Sequence, residues 1–362
     1  MIKTLIKSSV AILLLLSMGS CRQQESSILK MTLIADQNIA PEESYYLDDA
    51  VSIIRSRLSS FGIEDENLEI KQENNRILLS ITGVDTADVE IIGRIVTATN
   101  KIGFWETYEN SEVINPLVEA NSRAREYNLG DEYPAFKKPA TGSSGDELES
   151  LIQASDSAAN TELDIFNREN PLFAILRPNV DNEGDPRQGC MIGYAHSEDT
   201  LKVRQLLNRQ EVTNLLPRDL KLMWSRDPSR YDASGTMFEL HAVKVSGLLY
   251  EPVLDGEYIS NAYVITDRGG SNIRIGINMN AEGAHRWKRM TGENIDKCIA
   301  VTIDKKVITY PRVMSEISGG NTEISGDYSM EEARFLAAVF SSGGLEMKVK
   351  LSVSGVLVEK PK

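Results

Sequence analysis

Cysteine and histidine are scarce, with three of each among 362 residues. Cys21, Cys190 and Cys298 share no ligand spacing with His196, His241 or His285, so no metal is expected. So few cysteines also rule out a fold built on disulfides; Cys190 and Cys298 remain open as a pair or as two isolated small hydrophobes. Positive charge is short as well: 39 Lys and Arg face 53 Asp and Glu, for a net charge of -14. A nucleic-acid partner needs clustered cations, and contact with anionic headgroups needs a basic patch, so neither is expected. Beyond the first twenty residues no uncharged run approaches the ~20 apolar residues of a membrane-spanning helix. No glycine-rich loop runs into a Lys-Ser or Lys-Thr pair, and no histidine has a nucleophile pattern beside it. The carboxylates of Asp304, Glu282 and Glu332 read as turn, first-turn and capping residues. The sequence therefore advertises neither an enzyme nor a cofactor.

What is present begins at the N-terminus. Lys3 and Lys7 precede a short apolar run over 10–16, the layout of a secretory signal. Gly19-Ser20-Cys21 then resembles a bacterial lipobox, with Met18 where leucine is common. The expectation is a signal peptide over 1–20, diacylation of the Cys21 thiol (a palmitate-type anchor) and a short polar tether over 21–27. Two or three acyl chains hold a membrane stably where one alone is marginal. Arg22 stands where an inner-membrane retention signal carries aspartate, which leans toward the outer membrane; inner against outer stays open.

The rest alternates strand and helix periods. Residues 28–34 read as a strand, 46–60 as a helix closed by Gly62, and 68–70 and 76–81 as a hairpin. A helix follows at 86–97 with Thr86 as its N-cap, then a strand at 101–105. That β-α-β-β-α-β order is the ferredoxin-like, split βαβ arrangement. Residues 109–170 read as a partly helical insertion, and 171–176, 220–224 and 236–245 as strands, with a helix over 199–208. Toward the C-terminus the pattern predicts a strand at 273–279, a helix at 280–294 with Trp287 in the core, and a strand at 298–303. A turn at 304–306, a capping-box helix at 329–342 between Ser329 and Glu332, and a last strand at 347–358 complete it.

Several segments carry a resemblance. The helix Asn280-Ala-Glu-Gly283-Ala-His-Arg-Trp287 resembles the one that opens the head of the first periplasmic domain of SecD, the auxiliary subunit of the bacterial Sec translocase. The stretch 299–311 is similar to that family's "AIVLDGKVISAP" strand-turn-strand, and 317–333 to its "I-gG-ItG-fs-eEA" segment. Upstream, 50–62 resembles the base motif "A-IIR-R-d-lGv" and Gly83-Val84 its "PGV", while 104–108 and 216–220 are similar to SecDF fusions. The turn glycine of "DG-V" is Lys305, which predicts a different turn geometry; the "NIGK" glycine is Asp296, and the "GaLP" proline is absent at Glu346.

The resemblance implies an α+β fold: a ferredoxin-like base over 28–108 and 171–270, the insertion over 109–170, a SecD-like head over 271–346, and a strand over 347–362 returning to the base. It implies that the head moves against the base and contacts preprotein, with Ile308, Tyr310, Val313, Gly319 and Gly320 as possible polypeptide-binding residues. The partners it implies are unfolded preprotein and Sec translocase subunits. Relatives place their proton-driven work in transmembrane helices, so the expectation here is passive assistance to translocation. The alternative is a lipoprotein of the same fold serving as a binding or structural module at the outer membrane.

Overall fold

The computed structural model describes residues 27–35, 45–98, 102–136, 163–245, 251–267, 272–326, 328–342 and 350–359. The signal and Cys21, the helical signal over 147–159, and the expected cap at Gly343 and Gly344 lie outside the described residues. Among the described residues no helix is long and apolar enough to cross a membrane.

The first sheet follows from period-two burial. β1 (Ile28–Ala35) turns Leu29, Met31, Leu33 and Ala35 inward, and β3 (Arg76–Thr82) buries Ile77, Leu79 and Ile81. β2 (Leu68–Glu73) joins β3 through a tight turn in which Asn74 takes a left-handed φ of 52°. Two amphipathic helices cover the sheet: α1 (Tyr45–Phe61) with Leu47, Ala50, Ile54 and Leu58 inward, and α2 (Val89–Thr97) with Ile91, Ile92, Ile95 and Val96. A single helical turn precedes α2, and its cap is Asp85, which accepts from the Ala87 amide at 3.0 Å, rather than Thr86.

The strand expected to close this sheet goes elsewhere. All neighbours are antiparallel in the order β15-β1-β3-β2, and the edge beside β1 belongs to β15 (Leu351–Glu359). The segment predicted over 101–105 is β4 (Ile102–Glu106), which sits inside another sheet of order β13-β12-β4-β9. Burial explains the exchange. Four consecutive residues of β4 are buried, which needs cover on both faces, whereas most of β15 is exposed and suits an edge.

Residues 177–244 make a sheet of their own in the order β5-β6-β8-β7, from β5 (Arg177–Pro178), β6 (Met191–His196), β7 (Leu220–Trp224) and β8 (Met237–Lys244). Against it lie α3 (Asn110–Glu126), with Val113, Leu117, Ala120 and Ala124 buried, and α4 (Thr200–Leu207). The strand expected at 171–176 is a helical turn, Pro171–Ile175. Pro171 fits the first helical position, and Asn121 Oδ1 accepts from the Leu172 amide at 3.0 Å, so the free N–H groups of a helix start are satisfied.

The remaining elements are β9 (Leu254–Asp255), β10 (Ile259–Thr266), β11 (Ile273–Met279), α5 (Ala281–Glu293), β12 (Ile299–Ile303), β13 (Lys306–Thr309), β14 (Asn321–Ser325) and α6 (Met330–Ser341). Asn280 caps α5, its Oδ1 accepting from the Gly283 amide at 2.8 Å. Trp287 is buried edge-on to Phe104, ring centroids 5.4 Å apart. In the β12–β13 turn Asp304 and Lys305 take φ of 50° and 62°, so Lys305 holds a left-handed geometry that glycine adopts at less cost. Asp296 does the same at φ 63°.

One core runs through the first sheet and its helices, β4 and the elements from β9 to α6, from Leu29 to Leu351. α6 lies between them, burying Ala333 and every residue from Phe335 to Phe340 against α1, α2, β10 and β11. A second core belongs to the 177–244 sheet, α3 and α4. A small cluster of Trp105, Met223, Val243, Val245, Ala300 and Val307, with Tyr310 against it, joins the two bodies.

Candidate functional site

The join between the two bodies opens into clefts on either side of Tyr310. β13 delivers it: the left-handed turn at Asp304 and Lys305 reverses the chain, and Tyr310 follows the last strand residue. β8 supplies the opposite wall, where Glu239 and His241, two apart on a strand, share a face. Tyr310 donates its hydroxyl to Glu239 Oε2 at 3.0 Å, and its ring meets His241 at 4.5 Å between centroids. Ser229 donates to Glu239 Oε1 at 2.7 Å, and His241 Nε2 stands 3.5 Å from Glu239 Oε2.

Burial would lift the Glu239 pKa, but the nearby His241 ring and the hydrogen bond from Ser229 outweigh it and hold the group below its ordinary value. Burial lowers the His241 pKa, and burial together with Glu239 raises that of Tyr310. At neutral pH the site therefore holds a carboxylate, a neutral imidazole and a protonated phenol. This is a fixed polar network, with the Tyr310 ring left to line open space.

One cleft of about 380 Å³ runs between Arg226, Asp227 and Arg230 on one side and Ile308 to Pro311 and Tyr328 on the other. Glu332 closes its end. Ser329 Oγ accepts from the Glu332 amide as a cap should, but the Glu332 carboxylate turns away to Arg226 and Arg94, so only half of the expected capping box forms. The second cleft, about 770 Å³, is lined by Arg177, Arg187, Met191, Tyr194, Tyr231 and again Tyr310. Together they make a trough with tyrosine rings and arginine side chains along it, one ring, Tyr231, being 70% exposed. Rings with polar tips offer apolar contact and hydrogen bonding at once.

The residues expected to bind polypeptide do not gather in one place. Ile308 and Tyr310 line the first cleft. Val313 is buried and exchanges backbone hydrogen bonds with Asp296 and Lys297. Gly319 is exposed with open space around it, while Gly320 is buried against Ala284 of α5. Glu239, Tyr194, Tyr231 and Arg226 escaped the sequence reading; the one legible signal was a Glu and a His on one face of an otherwise apolar strand. The sequence also gave no histidine a thiol neighbour. The fold supplies one, placing Cys190 Sγ 3.8 Å from His241 Nδ1.

Metal-ligand atoms within 4.8 Å of one another occur among the described residues at Asp181, Glu183 and Asp185, all exposed. A turn accounts for them, since Asp181 Oδ1 accepts from the Glu183 and Asp185 amides at 2.9 Å.

Comparison with known proteins places these observations. Residues 237–347 match the SecDF P1 head subdomain. The chain is 29% identical over 310 residues to the protein translocase subunit SecD of Rhodothermus marinus, covering 83% of this chain and 45% of that protein. It is 37% identical over 122 residues to SecD of Sebaldella termitidis, covering 33% of this chain and 30% of the relative. The chain thus spans less than half the length of these curated relatives. Among solved structures, SecDF in its super-membrane-facing form aligns over 92% of this chain and 30% of the other, at 18% identity and a TM-score of 0.45. By sequence the chain is similar to protein translocase subunits SecD over most of its length, and residues 237–347 match the SecDF P1 head subdomain.

Proposed function

We propose that this protein is a non-enzymatic accessory of protein translocation on the outer face of the inner membrane, anchored through Cys21, that holds extended polypeptide in the trough around Tyr310. The observation that carries the reading is the position of the trough: Tyr310 belongs to the segment matching the SecDF P1 head and lines both clefts where the chain after β13 faces β8, a strand of the 177–244 sheet that lies in the same matched segment. The exposed Tyr231 ring and the half-buried Tyr194 and Tyr310 rings give contact of low sequence preference, and flanking arginine donors suit the carbonyls of an unfolded chain. Catalysis is not part of the proposal, since the thiol beside His241 is fully buried and no substrate reaches it. The role proposed is holding, not pulling.

Photo-crosslinkers placed at Tyr231 and Tyr310 in cells test it. Adducts to secreted precursors or to Sec subunits are the expected result, and recovery of neither from both positions removes the proposal. Arg22 after Cys21 favours the second reading, a module of the outer membrane unconnected with translocation. Fractionation to the outer membrane together with the absence of such adducts would select it.

A further inference from the structure

Two buried thiols that the proposed function does not use face each other. Cys190 enters β6 in the smaller body and Cys298 enters β12 in the larger, and both are free. Their segments lie side by side, so that each thiol shifts the titration of the other. The backbone on each side is pinned. The Asn110 amide donates to the Gly189 carbonyl at 2.7 Å, and the Ala242 amide to the Cys190 carbonyl at 2.9 Å. Opposite them, Thr107 Oγ1 donates to the Cys298 carbonyl at 2.6 Å, and the Ile299 amide to the Pro311 carbonyl at 3.0 Å. Gly189 adopts φ +110°, and a Cβ on it would stand 3.6 Å from Cys298 Sγ, which independently fixes how near the two segments lie.

We propose that Cys190 and Cys298 form a redox pair that closes to a disulfide and ties the smaller body to the larger beside the Tyr310 trough. Thiols on two adjacent segments pinned at the starts of β6 and β12 need little backbone movement to bond, whereas a chance approach of two mobile loops would need much. The environment also separates their roles. Cys298 is the slightly exposed member, and accepting from the Cys190 thiol lowers its pKa. That same hydrogen bond, with burial, keeps the proton on Cys190. Glu239 faces His241 Nε2 and so favours the tautomer protonated there, leaving Nδ1, 3.8 Å from Cys190 Sγ, as a bare acceptor.

The chemistry is thiol–disulfide exchange with a small disulfide such as glutathione disulfide as oxidant. The Cys298 thiolate attacks one sulfur, its bond to the other sulfur breaks, and one glutathione leaves as thiolate. Cys190 then gives its proton to His241 Nδ1 and attacks Cys298 Sγ, expelling the second glutathione. The two protein thiols lose two electrons and two protons, and the oxidant becomes two thiols.

The full chain carrying C21S, so that Cys190 and Cys298 alone remain, is incubated folded with glutathione disulfide, quenched with acid, unfolded and alkylated. The expected result is a fall from two alkylated cysteines to none, with peptide mass spectrometry recovering residues 190 and 298 in one crosslinked species. The oxidised form should also unfold at a higher temperature than the reduced form, because the bond restricts the unfolded chain. Two thiols still alkylatable after oxidation, or two separate glutathione adducts, would overturn the proposal. H241N should reach the same disulfide more slowly, and an unchanged rate overturns the proton transfer to His241.

Discussion

Gly320 holds a φ of +68°, and a Cβ built on it meets Ala284 Cβ at 2.6 Å, Ala284 Cα at 3.3 Å and Met279 Cβ at 3.6 Å. Gly320→Ala therefore faces two separate costs. The left-handed conformation costs an L-residue about 1–2 kcal/mol, reduced by about 0.5–1 kcal/mol because alanine is less free than glycine when unfolded. The overlap with α5 adds about 1–3 kcal/mol, since overpacking forces a helix or a strand to shift. The expected loss is about 1–4 kcal/mol, measured by urea unfolding followed by circular dichroism. Gly319, one residue earlier, has a negative φ and nothing within 4 Å, so Gly319→Ala should stay within about 0.5 kcal/mol. Ala284→Gly separates the two costs. It removes the 2.6 Å contact and leaves the 3.3 Å one, so the double variant should recover about 1–3 kcal/mol relative to the sum of the singles, while the backbone cost persists. Zero coupling would refute the packing argument. Equal effects at 319 and 320 would refute the backbone argument as well, and would return the loop to consideration as one functional unit.

Other substitutions test other parts. Arg57 is fully buried and donates from Nη1 to the Ile95 and Ala98 carbonyls at 3.1 and 2.6 Å and from Nε to Ser342 Oγ at 3.3 Å, joining α1 to the ends of α2 and α6. Desolvation lowers its pKa to about 10, so it stays charged at neutral pH, and Arg57→Ala should cost about 2–4 kcal/mol in unfolding experiments through orphaned carbonyls; Arg57→Lys keeps the charge but not the fork, and should fall between. Lys305→Gly should raise stability by about 0.5–1 kcal/mol by relieving a left-handed lysine, and a loss would contradict the turn geometry. His241 has a folded pKa below its unfolded value of about 6.5, so protonation favours unfolding and stability should fall as pH drops below 6.5. The Glu239 contribution starts to be lost only as pH falls to the ordinary Glu value of about 4.5, so between pH 6.5 and 5 the slope should flatten in His241→Gln; an unchanged slope would place the titration elsewhere.

How much of this was legible differs by element. Asn280 to Asn294 and Ser329 to Ser342 were readable because an apolar stripe at helical spacing and a capping residue both lie within one short window. Leu220–Trp224 was readable from a short, largely apolar run of strand length. Sheet membership was not. Ile102–Glu106 has strand character, but nothing in five residues says which strands will flank it, and only burial on both faces decides that. Pro171–Ile175 shows the ambiguity of a short apolar run, settled here by an asparagine on another helix. The trough is the least legible feature of all. Tyr310 could be singled out from its segment, but its partners Glu239 and His241 come from another sheet, and the Cys190–Cys298 contact joins segments with no common pattern.

The packing says where movement between the parts of this molecule is cheap. α6 buries Phe335, Leu336, Val339 and Phe340 between the first sheet's helices and β10 and β11, in one continuous core. Each such side chain contributes about 1.5–3 kcal/mol by burial, so sliding the base along α6 would expose a large apolar area at once. The boundary with the 177–244 sheet is different. Its apolar contact is the small cluster around Trp105, Val243 and Val307, supplemented by single bridges at Thr107–Val243 and Ser225–Val307. A hinge there disturbs far less buried surface and changes the width of both clefts, because Tyr310 projects from one body toward Glu239 and His241 of the other. The same boundary is the one that a Cys190–Cys298 bond would fasten. Oxidation state and trough width are thereby tied to one joint, which is why unfolding temperature and crosslinking at Tyr310 should change together when those thiols close.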